Sequence, residues 1–419
     1  MKAKVLILSF LTLIIFTNET FSQGEAAVPF LLLQPSPSLA AMGQTGTALP
    51  TEDPFGFVWN PSQLGYTSQN NNFSFIFYPS KLDWLPKFNL DLEVKSLAFN
   101  FGYNFKDIID FPISVGFGYS YFELNFGEFL RVDEDAPSAL GSFYSLDYYN
   151  AYSLGIGIDY YVQLNAGITY KDITSILSDR PAGEEEAYGS WKGTAFDFGL
   201  LINVPVLKII NEEMQIKLES DMLLKPDFIF SVGYSKCNLG DEVYYIDKNQ
   251  ADPLPRMDRL GYGITTGFDL LGDNFQMKVL NLALTVEADD ILINRDTTGW
   301  DYQSTLSDLQ FVKNLINVEG TEKIVSHIGL KIDLFETVSF STGHFSGRGF
   351  MDVAETGGYE LRAKGLFKLW ALWAKEPFTE FLRDHIDIRY YNTNYFADDW
   401  RETKMTGLAL YVHNLNSLF

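Results

Sequence analysis

The feature that most constrains this chain is a strict period of two. From Ile113 the large residues Ile113, Val115, Phe117, Tyr119 and Tyr121 alternate with Ser114, Gly116, Gly118 and Ser120. Such alternation puts one set on each face of a β-strand. It recurs with Tyr152, Leu154, Ile156 and Ile158 against Ser153, Gly155 and Gly157, with Val162 to Tyr170, and with Leu260, Tyr262 and Ile264 against Gly261 and Gly263. In a soluble sandwich the large face meets a second sheet. In a membrane barrel it meets lipid, and the small or polar face lines the lumen.

The N-terminus decides between these readings. Lys2 and Lys4 precede an apolar run from Val5 to Phe16, and Thr20 and Ser22 place small residues before a cut that leaves Gln23 first. This is the layout of a secretory leader, too short to cross a bilayer as a helix. The composition agrees: 35 Phe, 23 Tyr and 7 Trp supply aromatic girdles. A lone Cys237 excludes an intramolecular disulfide. A net charge of −23 argues against nucleic acid, because a phosphate backbone needs clustered cations. The acidic groups Asp133 to Asp135 and Glu184 to Glu186 read as solvated loops.

The expected fold is therefore all-β: a 14-stranded antiparallel transmembrane β-barrel with an N-terminal hatch, in a bacterial outer membrane. The leader occupies 1–22, the hatch 23–70 and the barrel 71–419. The expected strands are 73–78, 94–105, 112–127, 146–160, 162–172, 191–206, 226–237, 259–271, 277–291, 324–334, 337–346, 359–372, 385–396 and 405–415. An even number leaves both ends periplasmic, which makes every odd-numbered connection extracellular. Two periplasmic connections, Leu207 to Lys225 and Trp373 to Asp384, read as short amphipathic helices at the inner interface. In the longest outer loop Leu306, Leu309, Val312, Leu315 and Ile316 predict a helix on or in the mouth, capped at Ser304.

Ahead of the first strand stand Pro29, Phe30, Leu31 to Leu33, then Ala40, Ala41, Met42, Gly43, then Gly46, Asp53, Pro54, and the run Trp59, Asn60, Pro61, Ser62, Leu64. Over residues 29–66 this order resembles the N-terminal signature of the PorV/PorQ family, in which an Ala-Met-Gly segment and a Trp-Asn-Pro box precede a FadL-type barrel. The chain departs from it at Ser38 and Leu39, where the family commonly has Arg, and at Ser62, where it commonly has Ala. The segment also makes physical sense alone. Gly43 and Gly46 permit close backbone approach, Pro61 holds Asn60 extended, and Trp59 is a large apolar anchor. Met42, Gly43, Gly46, Trp59, Asn60, Pro61 and Leu64 are thus the candidate hatch residues.

Enzymatic signals are absent from this reading. The Gly-x-Gly pairs lie inside strands and do not open helices, so they are no nucleotide loops. His327, His344, His385 and His413 lack zinc spacing. The pairs Asp289 with Asp290 and Asp398 with Asp399 sit at outward strand ends, read as solvated or weakly cation-binding. Arg362, Lys364, Asp387 and Arg389 read as a charged patch on the lumen wall. No cofactor and no metal is expected. The resemblance implies a non-enzymatic part in type IX protein secretion, with a large translocon barrel and secreted proteins carrying C-terminal signal domains as partners, beside the bilayer and its lipopolysaccharide. The long acidic loops favour a protein partner. A FadL-like transporter of hydrophobic small molecules is the alternative, and a purely structural or adhesive barrel the third.

Overall fold

The computed structural model describes residues 26–86, 92–132, 139–181, 188–218, 222–272, 275–296, 299–348, 350–396 and 402–418. The leader, both acidic runs at 133–135 and 184–186, and Asp398 with Asp399 lie outside the described residues.

One sheet holds sixteen strands, two of which are two-residue pieces at Leu82–Asp83 and Ile216–Lys217. The other fourteen, all antiparallel, close on themselves because the first pairs with both the second and the last. They are β1 (Phe73–Phe77), β2 (Glu93–Asn104), β3 (Ile113–Val132), β4 (Ala139–Asp159), β5 (Gln163–Pro181), β6 (Tyr188–Pro205) and β7 (Leu223–Gly240). The circuit continues with β8 (Met257–Gly272), β9 (Phe275–Ile291), β10 (Ile324–Leu334), β11 (Val338–Gly347), β12 (Phe350–Arg362), β13 (Ile386–Tyr395) and β14 (Lys404–Val412). Closure is what lets a sheet sit in lipid, since it leaves no edge with unpaired amides.

The alternation falls as the sequence requires. On β4 the side chains of Tyr152, Leu154 and Ile156 are 46, 55 and 43 % exposed, while Ala151 and Ser153 between them are buried. On β6, Phe196, Phe198, Leu200 and Ile202 repeat the pattern. So many large apolar groups turned outward on a closed barrel form a lipid-facing band, and the chain is an outer-membrane barrel. Tyr160 and Tyr161, at the β4–β5 turn, are about 70 % exposed and mark an aromatic girdle at that end of the barrel.

The wall is uneven in height. Strands β3 to β6 have 20, 21, 19 and 18 residues, whereas β10 has 11. A tilted membrane strand needs about 9 to 11 residues, so one side of the barrel stands well above the bilayer. The expected strands stopped short there because the alternation loosens once one face leaves the lipid.

Three expectations need correction. The twelfth strand is Phe350–Arg362 and not 359–372, and it pairs with β11. Residues Lys364–Ala374 are a helix, joined to a second at Pro377–His385. Leu366, Leu369, Trp370 and Trp373 recur at i, i+3, i+4 and i+7, a helical period that overrides the short alternation before it. In the other inner connection only Val206–Ile210 is helical among the described residues. Finally, the expected helix after Ser304 shrinks to one wide helical turn, Phe311–Ile316, and it lies against the outside of the wall, not in the mouth.

Candidate functional site

The described part of the N-terminal segment threads the lumen as short helical turns at Pro29–Leu32, Pro37–Ala40, Gly56–Trp59 and Gln63–Thr67. Most residues from Val28 to Ser68 are buried. A segment with so little regular structure must satisfy its backbone groups otherwise. Ser36 accepts from the Leu39 amide at 3.1 Å and donates to Asp53 Oδ2 at 2.8 Å, and Asp53 Oδ1 accepts from the Phe55 amide at 2.8 Å. Burial raises the Asp53 carboxyl to about 6, against the opposing pull of those two donors.

Asn60 ties the segment together. Its Nδ2 donates to the carbonyls of Thr47 at 2.7 Å and of Leu200, on β6, at 3.1 Å, and its Oδ1 accepts from the Ser62 amide and hydroxyl. Beside it, Pro61 lies so close to the wall that a methyl group at Gly167 would meet its carbonyl at 2.3 Å. Gly116 and Gly155 meet Leu64 in the same way, and Gly329 meets the Met42 carbonyl at 2.3 Å. The small face of the alternation is thus the seat of the hatch. Gly43 has φ +73°, a left-handed conformation, and any side chain there would run into the carbonyls of Ile328 and His344.

One sector of wall grips the segment with charge. The Glu287 carboxylate, on β9, accepts from three successive amides, those of Gly46, Thr47 and Ala48, at 2.9 to 3.1 Å. Arg259, on β8, lays its guanidinium 4.3 Å from the Trp59 ring, donates to the Gln44 carbonyl at 3.1 Å, and pairs with Asp289 at 2.7 Å. His327, on β10, donates from Nδ1 to the Gly43 carbonyl at 2.7 Å, with Nε2 3.1 Å from Asp289. The Ala-Met-Gly segment and the Trp-Asn-Pro box therefore meet at one latch. The Trp59 indole nitrogen has no partner among the described residues, so Trp59 acts by packing and by its π face.

The sequence reading missed Arg259, Glu287 and His327 as a set. A signal was available: charged residues on the small face of a strand, flanked by glycines, must meet something inside. It also misplaced Asp289 and Asp290, read as solvated. Successive residues point to opposite faces, so Asp289 turns inward to the latch and Asp290 outward, where it is buried under residues 306–319.

A second ionic group sits below the hatch. Arg389 pairs with Glu52 of the hatch and with Asp387, each at 2.7 Å, and Arg362 reaches Asp387 at 3.3 Å. Lys364 joins through its backbone amide, 3.1 Å from Asp387, at the start of the helix and not on a strand. Glu52, Arg362, Lys364 and Arg389 line a polar cavity of about 530 Å³ beneath the hatch. Burial would raise the Glu52 carboxyl, but Arg389, then His413, Lys364 and Arg362 outweigh it and hold the group well below the usual range. His385 and His413, far apart in sequence, are neighbours here: His385 Nδ1 lies 2.9 Å from the His413 carbonyl.

The upper end of the hatch enters an aromatic-rich cluster. Phe30 stacks on Phe122, ring centroids 6.3 Å apart, and lies tilted 6.1 Å from the Tyr149 ring, inside a cluster that includes Leu31, Trp84, Ile173, Trp191, Phe345 and Tyr395. The hatch thus separates an aromatic-lined outer chamber, with the buried Lys171–Asp197 pair at 2.8 Å beside the Tyr149 ring, from an ionic inner vestibule.

No protein-family model and no curated protein matches the chain. Among solved structures it is similar to the Pseudomonas putida toluene transporter TodX, at 10 % identity and a TM-score of 0.37, over 90 % of this chain and 97 % of that one. It is similar also to the CymD monoaromatic hydrocarbon channel, at 9 % identity and 0.35, over 90 % and 95 %. The outer-membrane protein OprD of Pseudomonas aeruginosa gives 12 % and 0.26, over 81 % and 92 %. Superpositions this loose leave the assignment resting on the strand ladder itself: a closed, fourteen-stranded outer-membrane barrel carrying its own hatch.

Proposed function

We propose that this chain is a non-enzymatic outer-membrane transporter that admits hydrophobic small molecules from outside, with the hatch as its gate. The observation that carries this reading is the placement of Phe30. In the closed barrel the aromatic-lined chamber is filled by the hatch's own Val28, Phe30 and Leu31, packed among inward aromatic rings. When these side chains withdraw, they leave an apolar, aromatic pocket of the kind that binds small hydrophobic ligands. A ligand of that class competes with the hatch for the same surface.

Phe30→Ala tests it. Truncating a buried Phe costs about 3 to 5 kcal/mol of packing, here charged to hatch docking. Purified variant barrels should bind a fluorescent naphthylamine probe more tightly than the unaltered protein and should admit hydrophobic antibiotics faster in cells. Equal and negligible probe binding by both proteins would sink the reading.

A second reading is favoured by the raised wall of β3 to β6. Strands of 18 to 21 residues carry a protein-sized surface above the bilayer, which suits the type IX role implied by the N-terminal resemblance: docking beside a large translocon barrel and receiving secreted proteins by their C-terminal signal domains. Copurification of such proteins from solubilised membranes, lost when the raised hairpins are shortened, would favour it over the transporter.

A further inference from the structure

Between β9 and β10, residues 303–319 fold back over the outside of the wall. Leu306 and Asp308 donate their amides to Asp258 and Asp290 at 2.8 and 3.0 Å. Tyr262 donates to the Leu315 carbonyl, Ser326 to that of Glu319, and Lys236 to the Thr305 hydroxyl. Leu315 is buried against Val286, Ala288 and Ile324. All these wall residues alternate with the inward-facing latch, so they point away from the lumen. Asp258 and Asp290 are nevertheless fully buried, covered by the strap.

The register fixes the height. Asp258 stands opposite Asp290, and Asp290 opposite Ile324, the first residue of β10. Since β10 has 11 residues, about the minimum for a crossing, the strap lies at the outer edge of the hydrocarbon. Without it, two carboxylates would face acyl chains there, which membrane barrels avoid. With it, the surface becomes Phe311, Val312 and Ile316, which are 56, 64 and 55 % exposed. On the neighbouring strand β7, Phe230 and Val232 turn outward as part of the same apolar band.

We infer that the outer face of this strap is an interaction surface for the acyl chains of the outer leaflet, completing the hydrophobic belt across a polar sector of wall. The experiment places a thiol on it in the full-length barrel on intact cells. Cys237 is fully buried and stays silent. Val312→Cys is compared with Asn249→Cys, at an exposed position in the connection between β7 and β8 that strand parity predicts to be extracellular, using a charged, membrane-impermeant maleimide and a lipophilic one. The expected result is labelling of Asn249→Cys by both reagents, and of Val312→Cys by the lipophilic reagent alone, its reaction with the charged reagent falling to the background of unaltered protein. Ile316→Cys reads the same face should Val312→Cys fail to assemble. Labelling of the strap by the charged reagent as fast as Asn249→Cys would put it in water and overturn the inference. Protection from both reagents in cells, relieved by detergent extraction, would mean a covering protein and overturn it equally.

Discussion

The hatch is held at two heights by two kinds of force. Above, Val28, Phe30 and Leu31 dissolve into an apolar cluster shared with the upper strands. At mid-height the contacts are Glu287 on three amides, Arg259 on Trp59 and Gln44, and His327 on Gly43. Apolar packing is non-directional, so many partners can replace it, a small hydrophobic ligand among them. The latch is directional and buried, so few things can replace it, and breaking one partner strands the rest. The difference assigns roles: the upper contact is exchangeable, while the latch sets where the hatch returns.

The sharpest way to break this contrast is to remove Glu287. In Glu287→Ala the amides of Gly46, Thr47 and Ala48 lose their acceptor, and Arg259 keeps only Asp289 as a carboxylate partner. Loss of one partner from a buried ionic group costs about 3 to 5 kcal/mol. The wall's own hydrogen-bond ladder runs through the backbone, so the barrel should still assemble and stay heat-modifiable. Hydrogen exchange at residues 40–48 should rise steeply, and bilayer conductance should increase. Unchanged exchange would mean that the glycine seat alone holds the hatch.

Fold and latch were legible to different degrees. Period-two alternation exposes strand number because lipid punishes every error of face, and it gives the number fourteen and the place of thirteen, the twelfth being misplaced. That miss fell where Tyr359 and Leu361 pass into Leu366, Leu369 and Trp370, a change of period within a few residues. The hatch motif was visible as a run of unusual residues. Its partners were not, because Gly46 and Glu287 are separated by 241 positions and only closure of the barrel brings them together. The strap escaped for a related reason: an apolar period of 3.6 says that a face is covered, not which side of a wall covers it.

The comparison can be sharpened with pH. Burial raises the Asp53 carboxyl to about 6 from an ordinary 3.8. A docked hatch therefore binds this proton more tightly than a released one, so its stability is fully present below about pH 4 and declines as pH rises through about 6. The full shift corresponds to at most about 3 kcal/mol, below the effect of removing Glu287. Exchange protection of residues 36–55 should be higher at about pH 5 than at about pH 7.5. Asp53→Asn, which stays neutral, should flatten that dependence. A dependence that survives in Asp53→Asn would assign the titration to another group.

The smallest effect is expected at Glu52, and it checks the logic of the vestibule. Glu52 is the hatch's ionic contact with the inner group, through Arg389, and its side chain is 30 % exposed. Arg389 does not depend on it, because Asp387 also pairs with that guanidinium at 2.7 Å and the Tyr411 ring lies 3.9 Å away. A partly solvated pair whose cation keeps another partner is worth about 0 to 1 kcal/mol. Glu52→Gln should therefore change hatch exchange little and leave probe binding in the upper chamber unaltered. Because the Glu52 carboxyl is held low, its contribution is fully present above its ordinary value of 4.5 and is lost as pH falls below that, so it does not contaminate the comparison of Asp53 between about pH 5 and about pH 7.5. A loss in Glu52→Gln as large as that in Glu287→Ala would mean that the hatch hangs from its lower edge, and the latch at mid-height would then be a consequence of docking, not its cause.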